Sequence, residues 1–142
     1  MREILFKAKR IYDGKWIEGY YLRDQYHIGG KDIIFYRKDS DRFTVYTDRI
    51  DQKTLCQFTG LCDKNGNKIW ENDIVLVTEN VYSAVKFGLY HEASKSERTH
   101  QGFYLESMDN YYYREELGYW VKESVVVGNI FDNPELLQEE SE

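Results

Sequence analysis

Leu61-Cys62-Asp63-Lys64-Asn65-Gly66-Asn67-Lys68-Ile69-Trp70-Glu71-Asn72-Asp73-Ile74-Val75-Leu76-Val77-Thr78 is the stretch whose reading settles the fold class. An Asn-Gly pair between apolar runs reverses the chain, because glycine reaches positive φ without steric cost. Ile74 to Thr78 then reads as a strand that is apolar on both faces, so it belongs inside a sheet. Working back toward the N-terminus, Ile4, Phe6 and Ala8 alternate with Leu5, Lys7 and Lys9, the period of a half-buried strand. Asp13-Gly14 predicts a type I′ hairpin into Lys15 to Leu22. Gly29-Gly30 breaks the chain before Ile33 to Tyr36, and Asp39-Ser40-Asp41 turns it into Phe43 to Thr47. Working forward, Val81 to Tyr90 reads as a strand with Val85, Phe87 and Leu89 on one side. Ala93 to Gln101 lacks any period and reads as a mobile loop. Phe103 to Leu105 is a short strand, and Arg114 to Leu117 is one helical turn ended by Gly118. Val125 to Ile130 reads as a buried strand. Asn133 caps a last helical turn opened by Pro134. About eight to ten strands with so little helix imply a mainly β barrel or roll.

The composition agrees. The 142 residues are 42 % apolar and 31 % charged, which fits a packed soluble domain and not a disordered chain. Aromatic residues make up 16 %, thirteen of them tyrosine, and Pro134 is the single proline; both facts favour strands. The longest apolar runs, Ile33 to Tyr36 and Val125 to Val127, fall far short of the ~20 residues of a membrane span. Arg2, Glu3 and Lys7 follow Met1 without the apolar centre of a signal peptide, so a cytosolic setting is expected. Cys56 and Cys62 have no second pair and no His at ligand spacing, and read as reduced thiols.

Charge is uneven. Residues 1–50 carry +3, residues 51–100 carry −1, and residues 101–142 carry −8, for a net −6. The N-terminal excess is too small for the basic face of a typical nucleic-acid binder. Chemistry is equally sparse. Gly29-Gly30-Lys31 lacks the spacing of a phosphate loop, and Asp63 to Gly66 fails as a calcium loop. Its glycine stands fourth where the sixth place is required, and Ile74 occupies the twelfth. His27, His91 and His100 have no companion ligand nearby and read as solvated. No nucleophile elbow exists, and Glu71, Asp73, Glu115 and Glu116 read as solvated or capping groups. A non-enzyme without metal or cofactor is expected. The aromatic density at Tyr111-Tyr112-Tyr113 and Tyr119-Trp120 reads first as packing and second as ligand contact. With Trp16 and Tyr20, the residues Tyr111, Tyr112 and Trp120 make the candidate binding surface.

The run Gln57-Phe58-Thr59-Gly60-Leu61, the turn Asp63-Lys64-Asn65-Gly66 and the segment Ile69-Trp70-Glu71-Asn72-Asp73-Ile74-Val75 resemble the signature of the YopX family of phage and prophage proteins. Val127-Gly128-Asn129-Ile130-Phe131-Asp132-Asn133-Pro134-Glu135-Leu136-Leu137 is similar to its closing motif, and Arg2-Ile4-Phe6-Lys7-Ala8 to its opening. Asn72 stands where the family has glycine, which fits a left-handed backbone, and Lys9 stands where an aromatic is common. The resemblance implies an SH3-like β-barrel core with added N-terminal strands, a phage or prophage origin and the bacterial cytoplasm. It carries over no catalytic residue. Gly60, Asp63, Asn65, Gly66, Glu71, Asp73, Gly128, Asn129 and Pro134 are its structural motif positions.

The expected organisation is an N-terminal hairpin region over residues 1–50, a barrel core over 51–138 and an acidic tail over 139–142, packed as one unit. The expected function is a non-enzymatic accessory module that binds a protein partner or itself. A nucleic-acid-binding barrel using Trp16, Tyr20, Tyr21 and Tyr26 with Lys7, Lys9 and Arg10 is the alternative.

Overall fold

The computed structural model describes residues 3–25, 31–78, 80–91, 97–106 and 114–138. The chain divides into two compact units, Met1–Phe58 and Thr59–Glu142. The division follows Phe58 and not residue 50, because Cys56 and Gln57 still pair with the first strand, at Lys7 and Phe6. The described strands make two antiparallel sheets, so the mainly β expectation holds, but neither closes into a barrel.

In the first unit, β1 (Phe6–Lys9), β2 (Trp16–Asp24), β3 (Lys31–Lys38) and β4 (Asp41–Arg49) form a meander. Their order is β4-β3-β2-β1, with β5 (Cys56–Cys62) beside β1. β5 crosses the boundary and contributes to both units. The register sets Ala8 opposite Ile17, Tyr21 opposite Ile34, and Ile34 opposite Asp48. Alternation then sends Ala8, Ile34 and Ile50 to one buried cluster, flanked by Ile17, Tyr21, Tyr36 and Leu55. An isolated bridge joins Arg10 to Ile50. The 3-10 turn Gln52–Thr54 is anchored where the Thr54 hydroxyl accepts the Lys9 amide at 2.9 Å.

The predicted hairpin at Asp13-Gly14 forms, but not with a type I′ turn. The Arg10 amide donates to the Lys15 carbonyl at 2.9 Å across a four-residue loop. Only Gly14 takes positive φ, at 70°, whereas a type I′ turn needs two such residues. The side chain of Asp13, held by Arg10 at 2.5 Å and by the Lys15 amide at 3.0 Å, is what fixes the wider loop.

In the second unit the rest of β5 neighbours β6 (Lys68–Trp70). A separate sheet has the order β10-β7-β8-β9, from β7 (Asp73–Val77), β8 (Val81–His91), β9 (Thr99–Leu105) and β10 (Ser124–Asn129). The strand read as central, β7, lies between β10 and β8. It contributes Val75 and Val77 to a core shared with Ile69, Val85, Leu105, Leu117 and Trp120. On β8, Val85 is buried, while Phe87 and Leu89 on the same side are exposed, because the strand runs on past the core to pair with β9. Three local expectations are corrected. The loop reading of Ala93 to Gln101 fails at Thr99, where β9 begins; residues 92–96 lie outside the described ones. The helical turn α1 is Leu117–Trp120, so Gly118 sits inside it, and burial of Leu117 and Trp120 outweighs glycine's poor helix propensity. The last turn, Pro134–Leu137, is a 3-10 helix in which Asn133 makes no side-chain cap; its Oδ1 turns back to the Asn129 amide at 3.3 Å.

Candidate functional site

The motif residues are the natural first place to look for a site, and the side chains of Asp63, Asp73 and Asn129 are taken up by backbone. The turn after β5 is closed by Gly66 N–H donating to Asp63 O at 3.0 Å, with Gly66 at φ 83°. Asp63 is buried. Its Oδ1 accepts the amides of Asn65 and Asn67, each at 2.9 Å, and its Oδ2 accepts the Val126 amide at 2.9 Å. One carboxylate therefore shapes the hairpin and pins β10 to it. Burial works to raise the Asp63 pKa, but the amides of Val126, Asn67 and Asn65 outweigh it and hold the carboxyl below its ordinary range. Asp73 is buried as well and accepts the Trp70 amide at 2.8 Å. Asn129 Oδ1 accepts the amides of Phe131 and Asp132 at 3.0 and 2.9 Å, forming an Asx turn into Pro134. Gly128 is obligatory, since a Cβ there would run into the Asn133 side chain. Gly60 has φ 83°. Glu71 stands in the turn before β7, half-buried.

The first unit offers a different surface. Lys7, Lys9, Trp16, Glu18, Tyr20 and Leu22 alternate away from the Ala8–Ile34 cluster, and the register continues this outer face through Ile33, Phe35, Val45, Thr47 and Arg49. Tyr20 is 67 % exposed, Leu22 48 % and Val45 49 %. Among them lies a groove of about 510 Å³ with an apolar wall of Leu5, Tyr20, Phe35 and Val45, and with Glu18 and Arg37 at its rim. Gly19 keeps the strands close, for a Cβ there would strike the Phe35 carbonyl. At one end the Lys7 and Lys9 ammoniums lie 4.8 and 5.5 Å from the Trp16 ring centre.

The opposite face of the same sheet is polar but self-satisfied. Tyr36 donates to Asp48 at 2.5 Å, and Arg10 reaches both Asp13 and Asp48. Asp48 is the first cause of a raised Tyr36 pKa, and Arg10 of a lowered Asp13 pKa. Tyr21 donates to Asp32, and burial followed by that bond raises its pKa. Arg10 thus faces away from Lys7 and Lys9, and the three do not form the basic stripe that their places in the sequence suggested.

Residues 5–138 match the family described as YopX protein. The chain belongs to the YopX family. Among curated proteins, none matches it. In this YopX-family chain the geometry gives Asp63, Gly66, Asp73, Gly128 and Asn129 structural tasks. Asn72, at the family's glycine position, takes φ 70° as expected, and its side chain accepts from Lys86 at 3.1 Å. Lys9 keeps contact with an aromatic through Trp16.

Of the sequence-predicted surface, Tyr20 is exposed on the outer face and Trp16 is half-buried beneath two lysines. Trp120 is a correction: at 6 % exposure it belongs to the core, and its Nε1 donates to the Arg114 carbonyl at 2.6 Å. Tyr111 and Tyr112 lie outside the described residues, as do Tyr26 and His27. Phe35, Leu22 and Val45 were missed, although their alternation with Ile34, Tyr21 and Tyr46 carried the signal. A second hollow, of about 200 Å³, lies among Tyr90, His100, Arg114 and Glu116, where the last two pair with each other. Neither Cys56 nor Cys62 forms a disulfide, and the buried Cys56 thiol donates to the Thr54 carbonyl at 3.2 Å. Among the described residues, no group of three His, Cys, Asp or Glu could hold a metal ion, and no helix is long and apolar enough to cross a membrane.

Proposed function

We propose that this YopX-family chain is a non-enzymatic binding module, a phage or prophage accessory protein of the bacterial cytoplasm that holds a protein partner, or a second copy, on its first unit. In the same reading the second unit is the SH3-like roll that the family resemblance implies. The meander β7-β8-β9, with β10 returning beside β7 after a single helical turn, supports it. The observation that carries the binding reading is the outer face around Tyr20, where aromatic and aliphatic side chains surround a groove instead of a core. Contiguous exposed apolar surface of this kind marks interaction sites, and tyrosine anchors dominate such interfaces. By contrast, the motif acids Asp63 and Asp73 of the second unit accept backbone amides.

Lys7 and Lys9 beside Trp16 favour a second reading, a single-stranded nucleic acid stacked along this face. Against it, both ammoniums are engaged with the indole, Lys7 stands opposite Glu18, and Arg10 is ion-paired on the other side. Capture from phage-infected bacterial cells, with and without nuclease, separates the two. The module reading expects a protein partner retained after nuclease treatment. Salt-sensitive retardation of a nucleic-acid probe, abolished by Lys7→Glu and Lys9→Glu, would overturn it.

A further inference from the structure

The outer edge of β4 shows a pattern that the groove does not explain. Ile50 N–H donates to Asp32 O at 3.0 Å, which fixes the phase of the β3–β4 ladder. Asp48 and Tyr46, in that phase, point their amides toward β3, and Thr47 and Val45 point theirs away. The Arg49 carbonyl confirms the phase, because on the outer side it accepts Ile11 N–H at 3.0 Å. Between Phe43 and Thr47 no described strand covers that edge. Long uncovered edges invite pairing, and native proteins usually blunt them with proline, lysine or a short strand. None of these devices occurs in Asp41-Arg42-Phe43-Thr44-Val45-Tyr46-Thr47-Asp48-Arg49. Instead Phe43 stands 96 % exposed.

This sequence is complementary to itself. Laid antiparallel about Val45, it sets Val45 against Val45, Phe43 against Thr47, Arg42 against Asp48 and Asp41 against Arg49. Both charged pairs are of opposite sign, and two-fold symmetry doubles them, adding to the bonds that Asp48 makes with Tyr36 and Arg10 and Asp41 with the Tyr46 hydroxyl inside each chain. The outward amides at Val45 and Thr47 are ones this register needs, and Phe43 N–H, which donates to Asp41 Oδ1 at 3.1 Å within the chain, exchanges that acceptor for the Thr47 carbonyl of the second copy. A hollow of about 300 Å³, lined by Ile11, Tyr12, Thr47, Asp48 and Arg49, lies where Phe43 of a second copy would arrive.

The geometry points to a two-fold dimer of this chain, made by β4 pairing antiparallel with β4 of a second copy. Phe43 of each copy seats in the hollow beside Ile11 and Tyr12 of the other. The ladder runs from Phe43 to Thr47 only, since Ile11 occupies the lane at Arg49; Asp41 and Arg42 meet Arg49 and Asp48 through side chains. The inference deepens the self-association side of the proposed function and rests on it. The interface shares Val45 with the wall of the groove around Tyr20.

Sedimentation velocity of the full chain over a concentration series tests it. The parent is expected to show a monomer–dimer equilibrium. Phe43→Asp and Arg49→Glu are each expected to weaken it about tenfold or more, both being surface changes that leave the core intact. In a Cys62→Ser background, Val45→Cys is expected to form an interchain disulfide on oxidation. Thr47→Cys is expected not to, because the register offsets the two copies of residue 47 beyond disulfide reach. A parent that stays monomeric throughout overturns the dimer and self-association together. A dimer indifferent to Phe43→Asp, or one cross-linked at 47 and not at 45, overturns the β4 edge and leaves association through another face standing.

Discussion

The turn after β5 and the outer face of the β2–β3–β4 sheet are both rich in side chains that could bind something, yet they use them oppositely. In the turn and the other motif segments, Asp63, Asn65, Asp73 and Asn129 crowd together in sequence signatures, and Asp63, Asp73 and Asn129 point their oxygens at backbone amides. On the sheet face, Tyr20, Leu22, Val45 and Phe43 belong to no motif beyond alternation, and they stand in solvent. Family signature and proposed binding surface are therefore separate things here. The signature marks where the backbone needs a particular side chain to fold, and the exposed face marks where apolar side chains stay in solvent, open to the partner proposed above.

The largest effect should come from removing the hub of the turn. Asp63→Ala leaves three part-buried amides without their charged acceptor, and charge-assisted bonds of this kind put the loss at about 3–5 kcal/mol, read by chemical denaturation. If that variant were as stable as the parent, the structural account of the motif would fail. The same residue sets an acid sensitivity. Because its folded pKa is depressed, its contribution is fully present above the unfolded carboxylate value near ~3.9 and is lost as pH falls through the folded one. The stability gap between the parent and Asp63→Asn should thus be wide at neutral pH and narrow below about pH 4. A gap that stays constant over that range would mean that Asp63 is not held ionised by its amides.

A smaller loss is expected from Gly19→Ala, where the added Cβ meets the Phe35 carbonyl and forces β2 and β3 apart. Overpacking against backbone costs about 2–3 kcal/mol, measurable as a lowered denaturation midpoint. An unchanged midpoint would show that the floor of the groove can yield. Gly66→Val should cost about 1–2 kcal/mol through its left-handed φ, with open space around it, so strain alone acts. Smallest of all, Phe43→Ser should shift monomer stability by less than about 0.5 kcal/mol, because the side chain has no intramolecular packing to lose. A larger loss would place Phe43 on the structural side of the comparison.

What was legible in the sequence follows the same division. The central place of β7 showed in Ile74 to Val77, because burial on both faces leaves no polar alternation. The left-handed backbone at Gly66 was readable from the Asn-Gly turn, and that at Asn72 from its place where the resembled family has glycine. The turn at Asp13-Gly14 was misjudged because the Arg10 bridge to Asp13, a side-chain contact, selects the wider loop. Trp120 looked like a surface residue among polar neighbours, and only the docking of α1 against Leu105 and Val85 shows it as core. Period-two logic put Phe87 and Leu89 on one side with Val85, but it says which side a residue takes and not how far the core extends beneath it. The outer face escaped notice for a related reason. Alternation identifies two faces of a sheet, and only the three-dimensional structure shows which of them the protein fills.

Tyr20→Ala, measured for both chemical denaturation and capture of the partner retained after nuclease treatment, tests the division most directly. The account predicts a denaturation midpoint within about 0.5 kcal/mol of the parent's stability together with loss of the captured partner. Undiminished capture by a folded Tyr20→Ala protein would contradict it.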